Sequence, residues 1–255
     1  MNLQDKVALV TGAGRGCGRA LAVEFARHGA RVVVAARTAA DLRETAAIIE
    51  REDGRCLVVP TDVADPAQVA ALVERTLKEL GRIDLLFNNA ARIPVINGLW
   101  EVDADAWWDE VTVNLRGPML CIRAVLPQMM KRNEGIIINM SGGQKIPGRT
   151  SYSCSKAALA RLTELLAREL AAAGSAVIAF GMTPGLVKTR RTLHEAESPE
   201  GQKWNPNTKK QFDAGQDRPP EDCARAAIKL VSAAGPELCG KIFAAGDVLS
   251  SGEDG

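Results

Sequence analysis

The chain has 255 residues, 46% of them apolar and 25% charged, which is an ordinary composition for a globular protein. Its formal net charge of +1 gives no electrostatic reason to expect a nucleic acid or an anionic membrane as a partner. Six scattered cysteines without a CxxC pair and only two histidines match no zinc-ligand spacing, so the sequence predicts reduced thiols and no metal site. Because no basic and apolar leader precedes the first strand and no apolar run approaches about 18 residues, we expect a cytoplasmic protein.

Short β-rich segments alternate with longer helical segments along the chain. The predicted strands are residues 6–10, 31–35, 56–59, 83–87, 135–140, 176–180 and 241–245. Near-continuous apolar strands separated by helices indicate a parallel sheet that is covered on both faces. The sequence therefore predicts an α/β, doubly wound Rossmann fold with a seven-stranded parallel sheet, in one domain over residues 1–255.

One segment does not follow this pattern. Residues 190–220 are polar, contain several prolines and are too long for an ordinary connection in a compact domain. A disordered insertion and a lid beside a functional site are both open interpretations. We favour a substrate lid at residues 190–218.

A glycine-rich turn, residues 11–18, lies between the first strand and the first helix. Glycine lets the backbone approach a pyrophosphate, and the helix N-terminus offers free N–H groups to its charge. Tight strand–helix turns need glycine in any case, but the position of this turn in a βαβ unit favours dinucleotide binding. The candidate cofactor-binding residues of the turn are Gly12, Gly14, Arg15, Gly16, Cys17 and Gly18.

The end of the second strand indicates which dinucleotide fits. A free ribose 2′-hydroxyl is recognised by a carboxylate about 20 residues after the glycine turn, whereas a 2′-phosphate is recognised by an arginine. That place carries Arg37, with no acid before Asp41, and Arg15 can reach the same phosphate. These two arginines favour NADP(H), and the alternative is that both are solvated surface residues.

Tyr152 and Lys156 are the candidate catalytic pair. A spacing of four residues at the start of a helix puts both side chains on one face, a single turn apart. A nearby ammonium favours the phenolate and lowers the pKa of the tyrosine. Surface pairing by chance produces many such pairs, although Tyr152 has no competitor because it is the only tyrosine of the chain.

Taken together, these residues resemble the short-chain dehydrogenase/reductases. The resemblance covers nearly the whole chain, with several motifs in the family's order. The motifs are residues 11–18, Asp62-Val63, Asn88-Asn89-Ala90-Ala91, Asn114, Ser141, Tyr152-x-x-x-Lys156 and Pro184-Gly185-x-x-x-Thr189.

The resemblance implies a role for each matched residue. Tyr152 would be the general acid in ketone reduction and the base in alcohol oxidation. Lys156 would bind the nicotinamide ribose and lower the pKa of the tyrosine. Asn114 would sit at a distortion of its helix and hold a water that passes protons to the lysine. The further implied cofactor contacts are Asp62, Val63, Asn88, Ala90, Pro184, Gly185, Val187 and Thr189.

The serine of the family pattern is displaced. It usually lies further before the tyrosine, often as the second of two serines, and would hold the substrate carbonyl. Here Ser141 stands 11 residues before Tyr152, with Gly142 where the second serine would be. A shortened loop could still deliver the Ser141 hydroxyl, or Ser141 is only a strand-end residue and Gln144 or another donor replaces it.

Several functions fit this pattern. The leading hypothesis is a carbonyl reductase or alcohol dehydrogenase that uses NADP(H) on a small-molecule substrate. The alternatives are a cofactor-binding scaffold or sensor without turnover, and a cofactor-assisted dehydratase or epimerase. The resemblance also implies a homodimer or homotetramer formed through helices at about residues 104–132 and 152–172.

The sequence gives few clues to the substrate. Arg92, Lys145 and Arg149 fall in loops that should border the cleft, so an acidic substrate is one interpretation. Exposed basic residues on loop tips are the other. In the predicted lid, Trp204 is the aromatic residue best placed to contact a ligand.

Overall fold

Seven parallel strands form one sheet in the computed structural model, which describes residues 1–93, 95–143 and 145–251. The strands are β1 Val7–Thr11, β2 Arg31–Ala36, β3 Arg55–Pro60, β4 Leu85–Asn88, β5 Ile136–Met140, β6 Ile178–Thr183 and β7 Ile242–Ala244. Their order across the sheet is β3-β2-β1-β4-β5-β6-β7. This arrangement confirms the predicted doubly wound fold, and its strand order reverses between β1 and β4, where such sheets bind ligands at their carboxyl ends.

Helices cover both faces of the sheet. They are α1 Gly16–Arg27, α2 Ala39–Arg51, α3 Pro66–Leu80, α4 Ala104–Val111, α5 Gly117–Arg132, α6 Thr150–Ala172, α7 Arg190–Glu197, α8 Pro199–Trp204, α9 Asn207–Asp213, α10 Pro220–Ser232 and α11 Ala245–Ser250. No helix within the described residues is long and apolar enough to cross a bilayer.

Two apolar clusters hold these layers together. Val10 of β1 packs with α1 and α10 on one face, and its neighbour Leu9 packs with α3, α5 and α6 on the other. This alternation arises because successive side chains of a strand point to opposite faces. Both faces are apolar, which is why the strands are near-continuous apolar runs in the sequence.

The helix predicted over residues 104–132 is interrupted. Between α4 and α5, Thr112–Arg116 forms a π-helical turn with Asn114 near its centre. Pro118, the second residue of α5, has no backbone N–H to donate to the preceding turn, so the regular hydrogen-bond ladder cannot continue there. Such turns are frequent at functional sites.

The segment predicted as a lid is helical, and the sequence analysis assigned it no secondary structure. It forms α7, α8 and α9 in succession. Thr189 caps α7 through Thr192, and Ser198 caps α8 by accepting from the Gly201 N–H. A bridge between Val187 and Arg218 brings the two ends of the segment together. These helices are short and polar, so hydrophobic periodicity gave no signal for them.

Candidate active site

The glycine turn is tightly packed against the ends of β1 and β4. Gly12 has a φ of +66°, and a Cβ atom on Gly18 would lie 2.1 Å from the Gly12 carbonyl oxygen. The Thr11 hydroxyl accepts hydrogen bonds from the backbone N–H groups of Asn89 and Ala90, both at 3.1 Å. Because only glycine fits these positions, the turn leaves room for a ligand to approach the backbone closely.

Two adjoining cavities at this edge of the sheet collect most of the predicted cofactor residues. The first, of about 260 Å³, is lined by residues that include Gly12, Gly14, Arg15, Arg37, Asp62, Val63 and Ala90. The second, of about 430 Å³, is lined by residues that include Gly12, Arg15, Gly16, Cys17, Gly18, Ser141, Tyr152, Lys156, Pro184 and Thr189. A glycine cradle that continues into basic and polar walls fits an elongated, phosphate-bearing dinucleotide.

Three predicted cofactor contacts lie elsewhere, and one of them, Gly185, lines a separate cavity beside Tyr152. Asn88 donates a hydrogen bond to Asn139 Oδ1 at 2.9 Å within the sheet, and its neighbour Asn89 lines the second cavity instead. Val187 is buried and pairs with Arg218. Successive strand-end residues point to opposite sides, so the sequence motif could not decide which asparagine faces the cleft.

The basic end of the first cavity contains two residues that the sequence analysis did not assign to it. Asp41, in the first turn of α2, binds Arg15 at 2.7 Å, and this guanidinium lowers the pKa of the Asp41 carboxyl. Arg190 lines both cavities, and in the first it accompanies Arg37. Its positive charge also contributes to lowering the pKa of Asp41. The only sequence signal for Arg190 was its position next to Thr189.

Tyr152 and Lys156 are both buried in the first turns of α6. The Lys156 Nζ atom donates a hydrogen bond to the Met140 carbonyl oxygen at 2.7 Å. Burial lowers the pKa of Lys156 to about 7, the Arg191 cation adds to this effect, and Glu110 opposes it. The cofactor-free site therefore holds a lysine that titrates near neutrality.

Ser141 ends β5 on the wall of the second cavity. Its backbone N–H donates to the Met182 carbonyl oxygen at 2.8 Å, and its hydroxyl is buried without a hydrogen-bond partner among the described residues. Gly142 lies against the tyrosine, since a Cβ atom there would stand 2.0 Å from Tyr152 Oη. The glycine that replaces the usual second serine therefore makes room for the phenol. Gln144, the alternative donor, lies outside the described residues.

Asn114 belongs to a buried polar network behind the tyrosine. Its Oδ1 atom accepts from the Arg92 backbone N–H at 3.2 Å, and its Nδ2 atom donates to Ser155 Oγ at 3.3 Å. Glu110, one turn earlier, accepts from Ser151 Oγ at 2.6 Å, and burial raises the pKa of its carboxyl. Glu110 matches no motif in the sequence, although its spacing of four residues from Asn114 places both on one helix face.

A third cavity, of about 380 Å³, adjoins Tyr152 on the side of the helical segment. Arg149 and Arg191 line it, and their guanidinium carbons lie 4.1 and 5.0 Å from the centroid of the tyrosine ring. Arg149 is buried and forms an ion pair with Glu195 at 2.5 Å. This cavity therefore joins the tyrosine to the predicted lid.

The other basic and aromatic candidates lie apart from this cavity. Arg92 pairs with Asp109 at 3.0 Å, and Lys145 is exposed. Trp204 packs beside Trp100, with 5.9 Å between ring centroids, and is not part of the cavity wall. Of the three basic loop residues, only Arg149 reaches the tyrosine.

Known proteins resemble this chain over most of its length. The family model described as short chain dehydrogenase matches residues 6–200. An uncharacterized oxidoreductase of Staphylococcus saprophyticus is 38% identical over 195 residues, which span 74% of this chain and 81% of that protein. A short chain dehydrogenase of Pseudocercospora fijiensis is 37% identical over 193 residues, which span 73% of this chain and 61% of that protein.

The fold also matches solved structures. A metagenomic short-chain oxidoreductase in complex with NADP superimposes with a TM-score of 0.77 and 27% identity, over 95% of this chain and 98% of that one. The agreement over nearly the entire length extends the family match beyond residue 200.

Proposed function

The chain belongs to the short-chain dehydrogenase/reductase family of oxidoreductases, and we propose that it interconverts a carbonyl compound and a secondary alcohol with NADP(H). The observation that carries this proposal is the cavity shared by the glycine turn, Ser141, Tyr152 and Lys156. A nicotinamide bound there supplies or accepts the hydride. The residues of the chain bind, orient and move the proton.

In this proposal Tyr152 is the proton donor to the carbonyl oxygen in reduction and the proton acceptor in oxidation. The Ser141 hydroxyl is buried and unpartnered in the described structure, so it can bind the same oxygen without giving up another hydrogen bond. Lys156, one turn from Tyr152, stabilises the phenolate when it is protonated. Asn114 and Glu110 fix the helix behind this pair through Ser155 and Ser151.

Preference for NADP(H) is supported by the charge of the first cavity. Arg37 and Arg190 are exposed arginines on its wall, and neither forms an ion pair with a described residue. Arg15 is already paired with Asp41, so it contributes less to a 2′-phosphate than Arg37 does. The first cavity therefore offers two guanidiniums without an ion-pair partner among the described residues, and its carboxylate is already paired. This charge favours the 2′-phosphate of NADP(H) over the free hydroxyl of NAD(H).

Cofactor choice can be tested without a substrate. NADPH and NADH are titrated side by side onto the purified protein, with the fluorescence of the reduced nicotinamide as the readout. We expect NADPH to bind at least tenfold tighter and Arg37→Ala to remove most of that preference. Lys210→Ala, which removes an exposed charge on α9, is the matched control. Equal binding of the two cofactors would overturn the preference.

Turnover is tested with Tyr152→Phe and a panel of ketones. This variant should lose at least a thousandfold in kcat and retain NADPH binding within about threefold, because it removes the phenolic hydroxyl that carries the proton and leaves the ring. Unchanged activity would contradict the assigned chemistry. Cofactor binding by the wild-type chain without turnover on any carbonyl would favour the scaffold or sensor.

We also propose that residues 190–218 act as a lid and that the protein is a homodimer or homotetramer. The Arg149–Glu195 ion pair attaches α7 to the loop before α6, next to the tyrosine, and so supports the lid.

Met119, Met130 and Leu165 are exposed on α5 and α6, which supports pairing of two chains through these helices. Light scattering of the purified protein measures the number of chains, and a monomer would rule out both assemblies.

A further inference from the structure

Two arginines stand against the proposed proton donor, and only one of them is compensated by a carboxylate. The Nη1 atom of Arg149 donates a hydrogen bond to Glu195, and its Nε and Nη2 atoms are buried without a hydrogen-bond partner among the described residues. Arg191, in the first turn of α7, forms no ion pair with a described residue. Unpartnered nitrogens on a buried guanidinium are costly, so Arg149, with the half-buried Arg191 beside it, forms a site suited to an anion.

The neighbouring charges do not supply that anion. Both oxygens of Glu195 already accept hydrogen bonds, Oε2 from Arg149 and Oε1 from Asn205 Nδ2 at 2.7 Å and Thr208 Oγ1 at 3.2 Å. Glu110 is occupied by Ser151. The third cavity therefore carries one guanidinium more than its carboxylates balance.

The walls of this cavity suit a small amphipathic ligand. Both apolar and polar side chains line it beside the two arginines: Ile146, Pro184 and Leu186 are apolar, and Thr192, Asn205 and Gln211 are polar. Tyr152 lines both this third cavity and the second cavity, which is called the cofactor cavity from here on. A ligand here has one end at the arginines and another at the tyrosine hydroxyl.

We propose that this cavity binds a carboxylate of the substrate, so that the compound turned over is an oxo acid or the corresponding hydroxy acid. The proposal rests on the proposed oxidoreductase function and names its substrate class. A single surplus guanidinium matches a monoanion, and a planar guanidinium pairs with a carboxylate through two parallel hydrogen bonds. The carboxylate and the carbonyl of the substrate must be separated by only a few bonds. Both guanidinium carbons lie within 5.0 Å of the centroid of the Tyr152 ring, and the hydroxyl of that ring would donate the proton.

A phosphate of the cofactor is the competing source of the anion. Arg191 lines both the cofactor cavity and the third cavity, whereas Arg149 lines the third cavity and not the cofactor cavity. Variants of the two arginines therefore separate the two sources.

The test compares acids with their methyl esters at three spacer lengths: pyruvate, acetoacetate and levulinate, each with its methyl ester. With NADPH, kcat/KM should be at least tenfold higher for the acid of the best-fitting pair. Arg149→Gln and Arg191→Gln should each remove at least tenfold from the acid and at most threefold from the ester. Arg191→Lys should retain part of the preference, and Lys210→Gln should change neither substrate.

Glu195→Gln distinguishes charge recognition from structural damage. This variant keeps the size of the side chain but releases the charge of Arg149, so it should increase the preference for the acid over the ester. A damaged lid would instead lower the activity on both. A decrease in the acid-to-ester ratio would contradict the proposal.

Failure of this proposal and failure of the proposed function give different results. Reduction of esters and acids with equal kcat/KM would overturn carboxylate recognition and leave the oxidoreductase standing. Loss of NADPH affinity in Arg191→Gln, with the acid preference intact, would assign that arginine to the cofactor and also overturn the proposal. If neither class is turned over, calorimetric titration of the NADPH complex with acetoacetate and its ester decides, and equal affinities reject the carboxylate site.

Discussion

At both ends of the sheet arginines meet a buried carboxylate, but in contrasting ways. At the amino ends, Asp84 is fully buried and accepts from the Val7 N–H at 2.9 Å, Arg82 Nε at 2.7 Å and Arg132 Nη2 at 3.3 Å. Arg82 also binds Glu134 and Arg132 also binds a backbone carbonyl, and the Nε atom of Arg132 is their only buried nitrogen without a partner among the described residues. Each of these two guanidiniums is therefore held by at least two acceptors of the chain.

At the carboxyl ends of the strands, several buried or half-buried polar groups lack hydrogen-bond or ion-pair partners within the described residues. Arg149 has two unpartnered nitrogens, Ser141 has an unpartnered hydroxyl, and Arg191 has no ion pair among the described residues. The same residue types therefore stabilise the fold at one end and leave binding capacity at the other. Buried polar groups that the chain does not satisfy mark the place where a ligand completes them.

The largest expected effect is on stability at the amino ends. Asp84→Asn removes the fully buried carboxylate that two partly exposed guanidiniums share, and we expect it to lower the free energy of unfolding by about 3 kcal/mol. Urea denaturation measures this. Glu134→Gln is the matched control, because its side chain is 43% exposed, and it should cost less than about 1 kcal/mol. If both variants lowered the free energy of unfolding equally, the buried carboxylate of Asp84 would contribute no more to stability than the exposed carboxylate of Glu134, and the prediction would be wrong.

At the carboxyl ends, Gly142→Ala should act on catalysis rather than on stability. The added Cβ would lie 2.0 Å from Tyr152 Oη, so the phenol must move. A displacement of this size costs about 100-fold in kcat. Gly143→Ala is the comparison variant, since its Cβ meets the movable end of Ile146 at 2.8 Å, and it should lose less than about fivefold. Full activity of Gly142→Ala would reject the assigned position of the hydroxyl.

A smaller effect is expected in the pH dependence of the cofactor-free protein. Burial lowers the pKa of Lys156 to about 7 in the folded state, from 10.5. The unfolded chain therefore binds more protons between these two pH values, and the free energy of unfolding rises with pH across that window. We expect the stability of wild type relative to Lys156→Met to increase from pH 7 to pH 10.

Denaturation at a series of pH values measures this difference, and Lys210→Met should show no such slope because Lys210 is exposed. A relative stability that falls over the same range would mean that Lys156 is held in its protonated form by a partner.

The smallest expected effect concerns the first cavity, which Arg15 and Asp41 both line. Asp41→Asn releases Arg15 from its ion pair, so NADPH should bind about two- to fivefold tighter while NADH is unchanged. Titration of both cofactors onto this variant measures the change. Weaker NADPH binding would indicate that Asp41 positions Arg15 for the phosphate and does not compete with it.

Much of the fold could be predicted from the chain alone. All seven predicted strands are present, because buried parallel strands are apolar on both faces and flanked by turn residues. The glycine turn could also be located, since Gly12 and Gly18 have neighbours that exclude any side chain. The helices of the predicted lid could not be located, because α7–α9 are short and polar and depend on capping residues such as Thr189 and Ser198.

By itself, the sequence determined which residue types stand at the strand ends and that Tyr152 and Lys156 share one helix face, because both follow from local periodicity. The tertiary structure alone decided that Asp41 neutralises Arg15, that Asn89 replaces Asn88 in the cleft, and that Arg149 and Arg191 meet over one tyrosine ring. The Arg15–Asp41 pair joins residues 26 positions apart and the Arg149–Glu195 pair joins residues 46 positions apart, and only the return of α2 and α7 to the same edge of the sheet makes these contacts possible.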